Sequence, residues 1–198
     1  MTPEKDDQGS RFGMWLFLFT EILLFGGMFI LYSVFRLQHA GEFHRAAEDL
    51  DRIAGTVNTV VLLTSSLTMA LSLVAIRNND KARSVMFQGL TILLGTLFLI
   101  VKYFEWSAKI GHGIYPDSKV LLELGKGQNL FYGLYFVMTG LHGLHVLIGL
   151  GALAFMLRAT QKGTISSANF VRLENSGLYW HCVDTIWVYL FPLFYLIT

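Results

Sequence analysis

Cysteine is almost absent: Cys182 is the single one in 198 residues. An intrachain disulfide and a cysteine-only metal site are therefore excluded. Charge is scarce as well. Only 15% of the residues are charged, against about 25% in an average soluble domain. Fifteen lysines and arginines nearly cancel fourteen acids, leaving a formal net charge of +1. That balance offers no basic footprint to nucleic acid. A disordered chain would combine low hydrophobicity with high net charge, and this one has neither. Several signatures are also missing. There is no His-Glu-x-x-His helix, no pair of Glu-x-x-His repeats and no Cys-x-x-Cys-His haem attachment. Gly125-Lys126-Gly127 lacks Walker spacing around it and reads as a turn. No Asn-x-Ser/Thr acceptor, lipidation motif, internal repeat or low-complexity tract occurs.

What the chain has is apolar length. Hydrophobic residues make up 54% of it, and the mean hydropathy is +0.51. A water-soluble fold of this size must cover itself with more polar side chains. A membrane-spanning helix needs about 20 mainly apolar residues. Five runs meet that test, at about 12–37, 56–76, 84–106, 130–157 and 177–197. Alternating ten-residue segments of a β-barrel are absent. The expected fold class is all-α, an integral membrane bundle of five transmembrane helices, forming a single membrane domain over 1–198. The first ten residues carry Glu4, Lys5, Asp6 and Asp7, and the run after them is too long for a signal core, so no secretory signal is expected. The connections are short and polar, at 36–55, 77–83, 107–129 (which holds Pro116) and 158–176. Pro192 is expected to bend the end of the last helix.

Positive charge orients the bundle. Arg77, Lys81 and Arg83 crowd the shortest connection, and short basic loops face the cytoplasm. The N-terminus is thus expected inside, and five spans put the C-terminus outside. Aromatic residues near the span ends (Trp15, Tyr103, Trp106, Tyr132, Tyr179, Trp180) are expected to anchor at the interfaces. Gly26, Gly27, Gly89, Gly95, Gly133, Gly140, Gly143, Gly149 and Gly151 are expected to mark faces of close helix approach.

An ionisable side chain in mid-bilayer needs a partner or a task. Glu21 lies roughly 14 Å along the first span. His142 and His145 are three residues apart in the fourth span, and His181 and Asp184 three apart in the fifth. Residues at that spacing are neighbours on one helix face. Glu105, Lys102 and Glu174 sit nearer the span ends. One reading makes these a metal or proton site. The other makes each histidine a hydrogen-bond partner of a neighbouring helix or a lipid headgroup, Glu21 an acid bonded to another helix, and His181 with Asp184 an internal polar pair. The missing di-iron and zinc patterns favour the second, with no metal ligated.

Three segments carry a resemblance. GMWLFLFTEILLFGG at 13–27, GLYFVMTGLHGLHVLIG at 133–149 and ENSGLYWHCVDTIWVYLF at 174–191 resemble three helices of subunit III of haem-copper terminal oxidases. VNTVVLLTSS at 57–66 and KYFEW at 102–106 are similar to the two others, so the likeness runs through all five spans in order. The resemblance implies a five-helix bacterial form of that subunit in the bacterial inner membrane, with its C-terminus outside. It implies a chain with no cofactor of its own, haem and copper being held by partner subunits. Its partners would be the catalytic subunit I, subunit II and phospholipid, and its role support of turnover and proton uptake. Glu21, His142, His145, Glu105, Glu174, Trp180, His181, Asp184 and Trp187 match the family's polar and aromatic positions. Lys102 stands where many members carry glutamate, which opens a pairing with Glu105 three residues on, and Cys182 takes a position often aromatic. Two rival readings are an accessory subunit of nitric oxide reductase and a stand-alone proton-coupled transporter. The full set of five helices disfavours the first, and the lack of duplicated halves the second.

Overall fold

A computed structural model describes residues 3–115, 118–123 and 125–197. Pro116 lies outside the described residues, as do the side chains of Glu4, Lys5 and Asp6. Among the described residues seven helices follow one another: α1 (Pro3–Gln38), α2 (Ala40–Glu48), α3 (Arg52–Arg77), α4 (Lys81–Gly111), α5 (Lys119–Glu123), α6 (Lys126–Gln161) and α7 (Val171–Tyr195). Among the described residues there is no strand, only one isolated bridge between Ser166 and Asn169. Four helices (α1, α3, α4 and α6) are long and apolar enough to cross a membrane. The fifth long helix, α7, has 25 residues. His181, Asp184 and Pro192 make it less oily than the others, and it packs among them rather than outside them.

Local chemistry sets the ends. The Asp51 carboxylate accepts from the backbone N–H groups of Ile53 and Ala54 at 2.9 and 3.0 Å and starts α3. The Asp80 carboxylate accepts from Arg83 N–H at 3.0 Å and starts α4. Between them Asn79 takes φ +60°, a left-handed conformation that asparagine tolerates and most side chains do not. That one residue turns the chain through the α3–α4 hairpin. Pro192 sits inside the last helix, where its missing N–H costs a bond, and α7 ends three residues later.

α3 and α4 pack side by side, and α6 and α7 complete a four-helix core. α1 leans on α6 and α7 and does not approach α3 or α4. The amphipathic α2 buries Phe43, Ala46 and Ala47 under the ends of α1, α6 and α7. Large apolar side chains cover the outside, Phe12, Ile30, Val60, Leu93, Phe104 and Phe155 among them. A soluble monomer rarely exposes apolar patches of that extent. A helix surrounded by lipid has no reason to hide them.

The wedge of the core is Trp180, fully buried. It was expected at an interface, with Tyr132 and Tyr179, and all three are instead buried, while Trp15 and Tyr103 face outward. The cause is space. A Cβ on Gly95 would stand 2.7 Å from the Trp180 ring, and one on Gly149 2.9 Å from it. These two glycines let α4 and α6 close on the indole. A Cβ on Gly140 would stand 3.0 Å from the Trp106 ring. A Cβ on Gly26, Gly27, Gly89, Gly133, Gly143 or Gly151 would meet nothing within 4 Å, so the close packing expected of them is not made among the described residues.

Gly95→Val should force Trp180 aside at an overpacking cost of about 1–3 kcal/mol, lowering the thermal midpoint of the chain in detergent by a few degrees. Gly133→Ala should leave it unchanged. Equal midpoints for both would mean that Trp180 is not held by α4.

Candidate functional site

Polar side chains inside the bundle meet across helix pairs. The one carboxylate in the middle of α1 meets α6: Glu21 Oε2 lies 2.8 Å from His145 Nε2, and both side chains are little exposed, 13% and 12%. The approach is short but not directed along a hydrogen bond. His145 Nδ1 lies 2.7 Å from the Leu141 carbonyl. A carbonyl only accepts, so Nδ1 carries hydrogen. Nε2 is thus the ring edge that faces the Glu21 carboxyl across α1 and α6.

His142 belongs to a different environment. Three residues of helix turn it about 60° from His145, into the core rather than toward α1. Its ring lies 5.6 Å from Phe98 and 5.2 Å from Trp187, centroid to centroid. It is fully buried, and neither ring nitrogen has a partner among the described residues. His145 thus faces Glu21 of α1 while bonding the Leu141 carbonyl of its own helix, and His142 meets no hydrogen-bond partner among the described residues. The paired motif splits because the helical repeat aims its members at different neighbours.

The expected pairing of His181 with Asp184 is likewise not made. His181 Nδ1 lies 2.6 Å from Ser66 Oγ of α3. Asp184 is buried, and neither carboxylate oxygen has a partner among the described residues. One turn of helix brings the two residues near each other, but α3 offers His181 a hydroxyl first.

The remaining positions tie helices together. Trp180 Nε1–H donates to Ser65 Oγ at 3.0 Å, and Trp187 Nε1–H to Thr59 Oγ1 at 3.1 Å, so both indoles pin α7 to α3. Glu174 accepts from Arg77 of α3 at 2.7 Å and approaches Arg11 of α1 at 2.8 Å. Glu105 pairs with Lys102 at 3.2 Å, as their spacing suggested. Sequence reading missed the partners of these residues: Ser65, Ser66 and Thr59 on α3, and Tyr135 and Tyr195 around Glu105. It also missed a polar seam in which Thr68 meets Thr91 at 2.7 Å, Ser72 meets Ser84 at 3.1 Å and Gln88 donates to Thr160 at 3.1 Å. A signal was available. Asn58, Ser65 and Ser72 recur every seventh residue, a polar stripe on one face of an otherwise oily helix.

A groove between α1 and α7 encloses about 490 Å³, lined by Trp15, Leu18, Phe25, Gly26, His181 and Tyr189 among others. Its wall is mostly apolar, with His181, Cys182 and Thr185 the exceptions on α7. Among the described residues no group of three or more His, Cys, Asp or Glu side chains is placed to hold a metal ion. What the bundle offers is a facing carboxyl–imidazole pair, a set of inter-helix bonds and an apolar groove.

Comparison with known proteins fits this picture. Residues 4–198 match the family described as Cytochrome c oxidase subunit III. Cytochrome c oxidase subunit 3 of Synechocystis sp. is 35% identical over 94% of this chain and 75% of the relative. Cytochrome bo(3) ubiquinol oxidase subunit 3 of Pseudomonas aeruginosa is 28% identical over 96% of this chain and 87% of the relative. A longer chain from Aeropyrum pernix, named heme-copper oxidase subunit I+III, is 28% identical over 94% of this chain and 22% of itself.

Glu21→Ala, His145→Ala and the double substitution should form a cycle with a coupling of about 1–3 kcal/mol in the thermal stability of the chain. Additive effects would show that the 2.8 Å approach does not join α1 to α6.

Proposed function

The chain belongs to the cytochrome c oxidase subunit III family of haem-copper oxidases, and from that premise we propose that it is the cofactor-free integral subunit of a proton-pumping terminal oxidase. The complex takes electrons from cytochrome c or a quinol to oxygen. This chain braces the catalytic subunit I beside subunit II, supports its proton uptake and binds phospholipid. The observation that carries the reading is how the imidazoles of the bundle are used. His142 is sealed between Phe98 and Trp187, His145 faces Glu21, and His181 faces Ser66. A haem or copper ligand must present a free ring nitrogen to an open position. His142 and His145 do not, while His181 bonds Ser66 and lines the groove between α1 and α7. On this reading haem and copper sit in the partner subunits. The relative that carries subunits I and III on one chain supports subunit I as the neighbour.

Two further features support the finer roles. The groove beside α1 is mostly apolar, which suits acyl chains. On this reading Glu21 and His145, facing one another between α1 and α6, are the groups offered for proton handling. The orientation rests on Arg77, Lys81 and Arg83, and on their neighbours at the same end. Lys81 donates to the Gln161 carbonyl at 2.7 Å, and Glu174 gathers Arg11 and Arg77. Arg11 of α1, Arg77 of α3 and Lys81 of α4 thus gather at one end of the bundle, which this reading assigns to the cytoplasmic face of a bacterial inner membrane.

A tagged copy purified in mild detergent should bring with it a polypeptide whose optical spectrum shows haem. Glu21→Gln should leave that spectrum intact. Cells lacking the chain should retain oxygen reduction at first and lose it over sustained turnover. Purification without a haem-bearing partner, or loss of haem in Glu21→Gln, would refute the reading.

A tag on the N-terminus should be protected from protease added outside spheroplasts, and a tag on the C-terminus should be cleaved. The reverse pattern would overturn the orientation.

A further inference from the structure

The end of the bundle opposite the N-terminus buries a lysine with unusual completeness. The Lys102 and Glu105 side chains are 9% and 5% exposed. Lys102 Nζ donates to Glu105 Oε2 at 3.2 Å, Tyr135 Oη at 3.0 Å and Tyr195 Oη at 2.8 Å. Those are the three hydrogens an ammonium carries. The rings of Tyr135, Trp187 and Tyr195 surround the same nitrogen at 4.9, 5.3 and 5.5 Å from their centroids, within cation–π range. The oxygens that receive it hold one another in place. Glu105 Oε1 accepts from the Tyr135 and Tyr195 hydroxyls, each at 2.6 Å. The receptor is thus assembled from α4, α6 and α7 by bonds that do not involve Lys102. Beside it runs a groove of about 290 Å³ between α4 and α6, with Leu99, Tyr103, Thr139, Leu144 and the Lys102 side chain itself in its wall.

We propose that this corner is a built receptor for one primary ammonium group, which the chain occupies from within by Lys102. The carboxylate supplies charge, three oxygens match three N–H donors, and three aromatic faces close the sides. The groove gives an alkyl stem a way in from the bilayer. Removing the lysine leaves Glu105 a buried carboxylate without its counter-ion, a strongly destabilising change. The same removal leaves the receptor standing and vacant.

The test is made on the full chain in solubilised membranes, reading its thermal solubility midpoint by immunoblot. Lys102→Ala removes a three-carbon stem and the ammonium, so n-propylammonium is the matching probe. The midpoint of Lys102→Ala should fall by about 6 °C or more. Propylammonium at millimolar concentration should restore at least half of that fall and leave wild type unmoved. 1-Propanol fills the stem without charge and should restore nothing. N-propyltrimethylammonium carries charge but no N–H and should also restore nothing. Rescue by either control equal to that by propylammonium overturns the proposal, as does no rescue at all. Lys102→Met keeps the stem and drops the charge, and it carries the test if Lys102→Ala does not accumulate. A midpoint equal to wild type for Lys102→Met refutes the receptor, and a lowered one supports it.

Discussion

Hydrocarbon cannot hydrogen-bond, so a polar side chain on a spanning helix is stabilised by a partner within the protein. That constraint decides which helices of this chain touch. Trp180 with Ser65, Trp187 with Thr59 and His181 with Ser66 fasten α7 along the length of α3. Thr68 with Thr91 and Ser72 with Ser84 fasten α3 to α4, and Gln88 with Thr160 fastens α4 to α6. α1 has fewer such bonds. Glu21 reaches α6, Ser10 and Arg11 reach the start of α7, and Tyr32 reaches the Leu193 carbonyl. It therefore stands at the margin of the core and leaves an apolar groove beside itself.

Shape completes what bonding begins. Two glycines on different helices face one indole, so α4 and α6 meet through Trp180 rather than around it. Phe98 stands edge-on to Trp187 at 4.8 Å, and His142 lies against both rings. That packing seals His142 off from its neighbour in sequence, His145, which stays in reach of α1. A single four-residue motif thus serves two purposes: one imidazole fills the core and the other faces a carboxyl of α1.

The ends of the bundle are charged, and its middle is not. Glu174 collects Arg11 and Arg77 at one end. At the other, Lys102 and Glu105 are closed in by two tyrosines, and Lys109 donates to the Asp49 carbonyl at 3.2 Å. Exposed pairs of this kind contribute little, while the buried Lys102 pair is held by its full set of hydrogen bonds. A scaffold fixed at both ends and apolar on its outside suits an integral subunit of an oxidase complex.

The membrane class, the helix order and the family likeness were legible from the amino-acid string, because each is a local property. Twenty apolar residues make a spanning helix wherever they occur, and motifs such as His-Gly-Leu-His-Val read the same before and after folding. Even the Lys102–Glu105 pair was legible, since three residues of helix bring both to one face. Partner choice across helices was not. His142 fell silent among aromatic rings, His181 took Ser66 instead of Asp184, and Trp180 left the interface for the core. Each outcome depends on how far a helix is rotated about its axis and on which helix lies opposite. Those quantities exist only once five helices have packed, and so they were left to the tertiary structure.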